Sequence, residues 1–489
     1  MSAPSSGPQT ASSPPVPAVR GFSLFPGTSF ALLAIAAIVA IASDRAVDLV
    51  TLTTGCLLVT VLLARRHRLA PPALDGATRR GPLPRRGQRL VELALYLSPV
   101  LLLSIAYPLA SHRLSHDRIG GVPLTTLLLA SSVTVPWLTQ AVCLPLYRSI
   151  AAEIDSGNPE TVRNRFCEAW PSAFVQSLPT IAVFAAPIAI ATGWSPTVLA
   201  VYVALCVLYV AFAQSLILSI VSRNRVLWAI GWASLAATLL IVPSLWFLPP
   251  LVALATQVLP LRRRSYLMVR RLSVEPGEVA RDLLRGLVLG SVLWADKFLL
   301  FMSDGSHFRV TTVFLGLLPA ILVYNYYFVR LAPRLDASVG ELRDAMELQG
   351  SETLMERSAA VAAYVGYSLN RTGVVGAALV LGLTVVSATL APSSVGLMAA
   401  VAIASWFFMM TTLLCYKLDY IGQRRAAQGY SAVHLGACIA VFSLVDVGAV
   451  LYIWLIIIEV LIFSAAARSV RSHWSSSEYN LFWRHATAW

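Results

Sequence analysis

One long apolar stretch of the sequence carries two ionisable residues side by side. Residues 281–302 are apolar enough to cross a bilayer, yet Asp296 and Lys297 lie past the middle of the stretch. A charged side chain at that depth costs roughly 2.5–3.5 kcal/mol on insertion-derived scales. Two roles are open for this pair. The charges either fix the helix against its neighbours, or they take part in moving a proton or a substrate across the membrane.

The two charges are predicted to have separate partners. Neighbouring residues on an α-helix point about 100° apart, so we expect each side chain to need a partner on another helix. The candidates are Glu459, near the middle of the last apolar stretch, and Asp446, toward the end of the stretch before it. We expect Lys297 to pair with Glu459.

A polar and aromatic surface is predicted in residues 310–330. Asn325 is surrounded there by Tyr324, Tyr326 and Tyr327. Tyrosines at this depth are commonly membrane-interface anchors, but aromatic rings and amides also suit contact with sugars. Three glutamines in other apolar stretches could join helices or line a cavity: Gln140, Gln176 and Gln214.

The composition is that of an integral membrane protein. Of the 489 residues, 57% are hydrophobic and only 12% are charged, which is far too little charge for a water-soluble globule of this size. The apolar runs are long and do not alternate with polar residues, so they predict helices rather than the strands of a barrel. We therefore expect an all-α polytopic fold.

Fourteen membrane-spanning helices are predicted. They cover residues 22–42, 47–64, 90–110, 122–147, 170–192, 195–221, 226–244, 247–261, 283–303, 310–330, 372–391, 395–416, 430–447 and 449–468. An even number places both termini on one side of the membrane. With the amino terminus in the cytoplasm, 32 of the 37 Lys and Arg residues fall in cytoplasmic segments and only four in outer loops. This distribution follows the positive-inside rule and favours the count.

The loop lengths indicate an internal repeat after the first two helices. In each following group of six, the longest cytoplasmic connection lies between the second and third helices, and paired halves are a common transporter architecture.

The predicted division is a disordered tail at 1–21, an extra helix pair at 22–64, a six-helix lobe at 90–261, a basic linker at 262–282, a second lobe at 283–468 with a cytoplasmic amphipathic segment at 331–371, and a cytoplasmic tail at 469–489. The amphipathic segment either packs beneath the bundle or docks a cytoplasmic partner.

Several kinds of chemistry have no matching motif. A phosphate-binding loop ends in Lys-Ser or Lys-Thr, whereas Lys297 precedes Phe and Lys417 precedes Leu. The sequence has no HExxH zinc motif and no G-x-S-x-G elbow. The six cysteines lack metal-ligand spacing and are expected to be reduced. We predict no enzyme activity, no cofactor and no metal. The net charge of +13 comes from arginines that are confined to particular loops, so it does not indicate nucleic-acid binding.

Three short motifs resemble those of a known family. The segment Leu293-Trp294-Ala295-Asp296-Lys297-Phe298 resembles the W-x-D-K-W/F motif of PelG-type transporters of the exopolysaccharide Pel, within the multidrug/oligosaccharidyl-lipid/polysaccharide (MOP) flippase superfamily. Lys417-Leu418-Asp419-Tyr420, with Arg424 and Arg425, resembles a second element of that family, and Tyr479-Asn480-Leu481-Phe482 resembles its terminal Y-x-x-F. The resemblance covers about residues 90–484, and the family has no counterpart to the extra helix pair.

The resemblance implies an inner-membrane exporter of an amino-sugar-rich polysaccharide, or of its lipid-linked precursor, in a system controlled by cyclic di-GMP. Its implied partners are a cytoplasmic glycosyltransferase and membrane subunits of a synthase. Trp294 then joins Asp296, Lys297, Glu459 and Asp446 as a candidate for transport or coupling. Two alternatives remain: a small-molecule or lipid exporter of the same fold, and a membrane scaffold that moves nothing.

Overall fold

A computed structural model describes most of the chain from residue 91 onward. The described residues are 91, 94–95, 97–156, 158–222, 224–269, 274–305, 308, 310–348, 351–390 and 395–486. The predicted tail at 1–21 and helix pair at 22–64 lie outside them.

The described residues are almost entirely helical, which confirms the predicted fold class. Each of the twelve predicted spans from residue 90 onward overlaps an apolar helix. Nine helical stretches within the described residues are long and apolar enough to cross a membrane: Leu124–Ser149, Pro159–Thr192, Pro196–Val221, Pro276–Asp304, Thr312–Met346, Leu354–Ala388, Val395–Tyr420, Arg424–Leu444 and Ala449–Trp474.

The part of the chain before residue 270 is called here the first half. Its helices are α1 (Ser98–Leu114), α2 (Leu124–Val142), α3 (Leu144–Ser149), α4 (Ala151–Ser156), α5 (Pro159–Ser177), α6 (Pro179–Thr192), α7 (Pro196–Val221), α8 (Arg225–Ile241), α9 (Leu248–Val258) and, after a 3₁₀ turn at Leu259–Arg264, α10 (Ser265–Val269). Proline starts α5, α6 and α7, where its missing N–H costs nothing. Within this half, α7 packs on α2 and α9, and α8 packs on α1 and α9.

The part of the chain after residue 273 is called the second half. Its helices are α11 (Pro276–Asp304), α12 (Val310–Tyr326), α13 (Ala332–Leu348), α14 (Ser351–Leu390), α15 (Val395–Tyr420), α16 (Arg424–Leu444), α17 (Ala449–Trp474) and α18 (Ser477–Ala486). A π-helical turn at Tyr327–Leu331 joins α12 to α13. Helix α15 is the centre of this half and packs on α11, α12, α14, α16 and α17.

The predicted amphipathic segment and the predicted tail are both helical. The amphipathic segment is helix α13 followed by the first part of the 40-residue helix α14. Leu335, Val339 and Leu342 are buried, so the apolar face of α13 packs beneath the bundle, as one of the two predicted roles requires. The predicted tail from 469 continues α17 to Trp474 and then forms α18, because Trp474 is fully buried and stacks on Tyr420.

The arginine-rich connections meet at one end of the bundle, called here the basic end. Contacts join them across the chain: Arg148 with Glu278, Arg264 with Glu160, Arg285 with Asp419, and Gln423 with Asn480. At the opposite end, a two-stranded hairpin of β1 (Arg118–Ile119) and β2 (Val122–Pro123) turns at Gly120 and Gly121, both with positive φ. The segregation of arginines agrees with the predicted topology.

Candidate functional site

Asp296 and Lys297 lie in the interior of the second half. Both are on α11, with side-chain exposures of 0% and 1%, and Trp294 is buried two residues before Asp296 on the same helix. Helix α11 packs on α15 and α16 around this point. The long apolar stretch therefore buries both of its charges rather than exposing them to lipid.

The two charges pair with each other, which corrects the predicted pairing of Lys297 with Glu459. Lys297 Nζ lies 2.9 Å from Asp296 Oδ1, and the hydroxyl of Tyr452 donates to Asp296 Oδ2 at 3.3 Å. The geometry of this contact is not that of a hydrogen bond, so Coulomb attraction joins the pair. The 100° angle between neighbouring residues on a helix describes only their Cβ directions. The four-carbon lysine stem can fold back to its neighbour, so the prediction of separate partners was wrong.

Glu459 has a different partner, His434, which the sequence analysis did not single out. His434 Nδ1 lies 2.6 Å from Glu459 Oε2, and both side chains are 1% exposed. These residues lie on α16 and α17, which pack together. His434 was missed because the search for histidines considered metal motifs rather than single buried rings.

Two further side chains connect these pairs into one group. Lys297 Nζ lies 5.1 Å from the centroid of the Phe408 ring, and that ring also packs edge-on against His434 at 4.8 Å. The Cys438 thiol lies 3.3 Å from His434 Nε2. It is also close enough to Lys297 to interact with the charge of that side chain. We call this group the ionisable cluster: Asp296, Lys297, His434, Cys438, Tyr452 and Glu459.

The cluster is buried at a considerable free-energy cost. Three of its polar atoms form no hydrogen bond with any described residue: Asp296 Oδ1, Lys297 Nζ and Glu459 Oε1. A buried polar atom without a partner costs about 1–3 kcal/mol, and more when it is charged. The helices α11, α16 and α17 therefore hold a set of proton-binding groups that hydrogen bonding satisfies only in part.

Asp446 is not part of the cluster. Helix α16 ends at Leu444, and Asp446 lies exposed in the connection to α17. Its predicted role as a buried partner was wrong because the helix ends before it. The side chain instead faces outward at the end of the bundle opposite the basic end.

The predicted polar and aromatic surface is formed in part, and it joins the two halves. The Tyr416 hydroxyl, on α15, donates to Gln140 Oε1 on α2 at 2.8 Å, and Tyr324 OH lies 3.4 Å from Tyr416 OH. Gln140, Tyr324 and Tyr416 are each partly exposed. Tyr327 is instead buried beneath the ammonium of Lys417 at 5.1 Å, and Asn325 donates to the carbonyl of Ile321 on its own helix.

The other two predicted glutamines join helices. Gln214, fully buried on α7, donates to the carbonyl of Val142 and accepts from the indole N–H of Trp170. Gln176 donates to the carbonyl of Val274 at 3.1 Å, across the linker between the halves. The structure places neither glutamine beside Gln140 and Tyr416.

The two halves meet along helices α2 and α11, called here the α2–α11 seam. Gly286 and Gly290 lie on the face of α11 that meets α2, and a Cβ atom added to Gly286 would lie 2.3 Å from Ala141 Cα. Trp137 donates its indole N–H to the carbonyl of Leu287 at 2.7 Å. The small-x-x-x-small spacing allows the backbones to approach this closely, and it is the sequence signal that could have located the seam.

Aromatic side chains fill the seam toward the end opposite the basic end. Phe298, one residue after Lys297, packs edge-on against Trp137 at 5.8 Å and Phe184 at 5.3 Å, and Trp194 packs against Phe301. One apolar core therefore continues from the first half into the second. In this arrangement apolar side chains pack α2 directly against α11.

Charged side chains close the seam at the basic end. Arg148, on α3, forms an ion pair with Glu278 and lies 3.1 Å from Asp282, both on α11. Asp419, from the second motif, forms an ion pair with Arg285 that joins α15 to α11 within the second half. Tyr479 and Phe482 of the terminal motif lie on α18 and are more than half exposed, while Asn480 bonds back to the carbonyl of His473.

Comparisons with known proteins give one structural similarity. No protein-family model matches the sequence, and a search of curated proteins gives no match. A solved multidrug-resistance transporter of the MATE family, in the MOP superfamily and in an inward-facing conformation, aligns over 83% of this chain and 98% of its own with 10% identity and a TM-score of 0.45.

Proposed function

We propose that this chain is a membrane exporter whose two halves separate along the α2–α11 seam to let a cargo pass. The observation that carries the proposal is the ionisable cluster, which is buried in the second half directly behind the seam. Ionisable groups inside spanning helices are costly, and by default they mark ion or substrate pathways. The same groups could instead fix helix packing, and the experiments below separate the two roles.

Protonation of the cluster offers a way to favour one of the two arrangements of a carrier, each of which is open to a different side of the membrane. Asp296 lies 2.9 Å from Lys297 Nζ and accepts a hydrogen bond from the Tyr452 hydroxyl. If Asp296 binds a proton, Lys297 loses its nearest negative charge, and the balance among α11, α16 and α17 changes. A proton bound at one face and released at the other would then favour opposite arrangements in turn.

The proposed cargo is an exopolysaccharide, amino-sugar-rich as in Pel, or its lipid-linked precursor. Support comes from the three motifs that resemble PelG-type transporters and from the hydrogen-bonded group of Gln140, Tyr416 and Tyr324 where the halves meet. Tyrosine rings and amide groups suit contact with the faces and hydroxyls of sugars. As the seam opens, these groups would exchange their bonds to each other for bonds to the cargo.

A small-molecule exporter is the second candidate. The aromatic packing of Trp137, Phe184 and Phe298 favours it, because an opening between these rings would present an apolar surface. The scaffold alternative also predicts packed apolar faces at the centre. It differs from both exporters because it does not need the seam to open.

The cellular setting follows from the same proposal. The basic end would face the cytoplasm, with both termini there, and the chain would lie in the inner membrane. A cytoplasmic glycosyltransferase and membrane subunits of a synthase would supply the polymer at that end. The chain itself would perform no catalysis.

The Asp296→Asn variant tests the role of the cluster in export. We expect export to fall by about tenfold or more, since coupling between sites commonly amounts to about 1–3 kcal/mol, while asparagine keeps an oxygen for Tyr452. The measurement is polymer secretion across the working pH range, normalised to the amount of protein in the membrane. Asp446→Asn is the matched control, because that carboxylate is exposed. Full activity of Asp296→Asn at every pH would remove Asp296 from the mechanism.

The nature of the cargo needs a direct measurement. Purified protein in liposomes should carry a labelled amino-sugar oligosaccharide and leave a lipophilic dye cation behind. Tyr416→Phe, which loses the bond to Gln140, should slow sugar transport. Transport of the dye without the sugar would support the small-molecule exporter instead.

A further inference from the structure

The first half carries a basic cavity at its edge that none of the features above uses. It has a volume of about 460 Å³ and lies at the end of α9 and along the 3₁₀ turn that follows. Its lining residues are Thr256, Leu259, Pro260, Arg262 and Arg263. None of them belongs to the α2–α11 seam or to the ionisable cluster.

A rigid support holds this cavity in place. Gln257, buried next to Thr256, accepts a hydrogen bond from the Ser219 hydroxyl on α7 at 2.7 Å and donates to the carbonyl of Leu227 on α8 at 2.9 Å. The end of α9 is thus fixed to two neighbouring helices. In a 3₁₀ turn, residues three apart lie on the same side, so Leu259 is aligned with Arg262, and Pro260 with Arg263.

The cavity carries net positive charge. Arg264 is engaged with Glu160 at 2.7 Å and is not among the residues that line the cavity. No acidic side chain is among those residues. Arg262 and Arg263 line the same concave surface, and a guanidinium group can bind two phosphate oxygens through parallel N–H···O bonds.

The surroundings of the cavity indicate that it lies at a membrane surface. Leu259 is 65% exposed and Tyr266, on α10, is 68% exposed. Exposed leucine beside arginine and tyrosine is typical of the level at which lipid tails meet head groups. A soluble ligand would leave the Leu259 side chain in water, whereas the acyl chain of a lipid would cover it.

We propose that this cavity binds the phosphate of an anionic phospholipid, with Arg262 and Arg263 on the phosphate and Leu259 against the acyl chain. Free inorganic phosphate has the same charged group but lacks the chain. The proposal does not depend on what the protein exports.

Lipid retention by the full-length protein tests the proposal. The protein is purified in detergent with phosphatidylglycerol or with phosphatidylcholine, and bound lipid is counted by native mass spectrometry. We expect phosphatidylglycerol to bind roughly tenfold or more tightly than phosphatidylcholine, and Arg262→Gln with Arg263→Gln to remove the difference. Arg330→Gln with Arg343→Gln is the matched control, because it removes two exposed arginines in the second half and should leave retention unchanged.

Three results would overturn the proposal. They are equal retention of the two lipids, unchanged retention in the Arg262 and Arg263 variant, and displacement of phosphatidylglycerol by millimolar inorganic phosphate, which would assign the cavity to a soluble phosphate. If the double variant does not fold, Arg263→Gln alone is used, because Arg263 is exposed and makes no ion pair with a described residue. Its retention of phosphatidylglycerol should still fall, and unchanged retention would count against the cavity.

Discussion

Replacing Lys297 by methionine is expected to destabilise the protein by about 3–5 kcal/mol, because removing one partner of a buried ion pair leaves the other charge uncompensated. Asp296 would keep only the hydroxyl of Tyr452 as a hydrogen-bond donor among the described residues. Methionine retains most of the lysine volume, so the loss would come from charge rather than from a cavity. Thermal unfolding of the purified protein in detergent measures the change.

A double variant separates packing from function. Asp296→Asn with Lys297→Met removes both charges and keeps an acceptor for Tyr452, and replacing a buried ion pair by uncharged groups of similar volume is often neutral. We expect its unfolding temperature to return close to that of the parent while export stays lost. A stable double variant that exports normally would show that the pair only holds the helices together. A double variant as unstable as Lys297→Met would contradict the assigned ion pair.

Replacing Gly286 by alanine is expected to force the seam apart. The new Cβ would lie 2.3 Å from Ala141 Cα, and ordinary contact begins near 3.4 Å, so the two backbones must separate by about 1 Å. Overpacking of this kind costs typically about 1–3 kcal/mol, although alanine is the better helix former by about 1 kcal/mol. We expect lower thermal stability and reduced export from one added methyl group.

Gly382→Ala is the matched control for this prediction. Gly382 lies on the spanning helix α14 with nothing within 4 Å of an added Cβ, so the substitution should leave stability unchanged or raise it. Gly290→Ala should have an intermediate effect, since its Cβ would meet side chains of Trp137 and Gln140 rather than backbone. If Gly286→Ala is as stable as Gly382→Ala, the close approach of α2 and α11 is not present in solution.

The helices could be predicted from the sequence because the signals that define them are local. Apolar runs of membrane length and the confinement of arginine to alternate loops predicted twelve spans after residue 90, and each of them overlaps a helix. The burial of Asp296 and Lys297 could also be predicted, because their helix is apolar on both sides of them. Burial of the hydrophobic face of α13 followed from its periodicity.

The pairing of side chains could not be predicted, because it depends on reach and on which helices are neighbours. Lys297 turns back to Asp296, and Glu459 is left to His434, whose position on α16 has meaning only once α16 and α17 are packed together. The prediction that Asp446 is a buried partner was wrong for another reason, because its helix ends two residues before it. The seam was missed although its signal, Gly286 and Gly290 four residues apart, lies within the very stretch that carries the two charges.

We expect α2 and α11 to part at the basic end when cargo enters. Arg148 and Glu278 form an ion pair across that end of the seam and are both about one-third exposed, so cysteines placed there can be reached by reagents. In a variant without the six native cysteines, Arg148→Cys with Glu278→Cys is linked by a short bis-methanethiosulfonate reagent, and secretion is measured before linking, after linking and after reduction. We predict that linking stops export, that reduction restores it, and that neither single-cysteine variant responds. Secretion that continues unchanged in the linked state would contradict this opening and would favour the scaffold alternative, which does not need the seam to open.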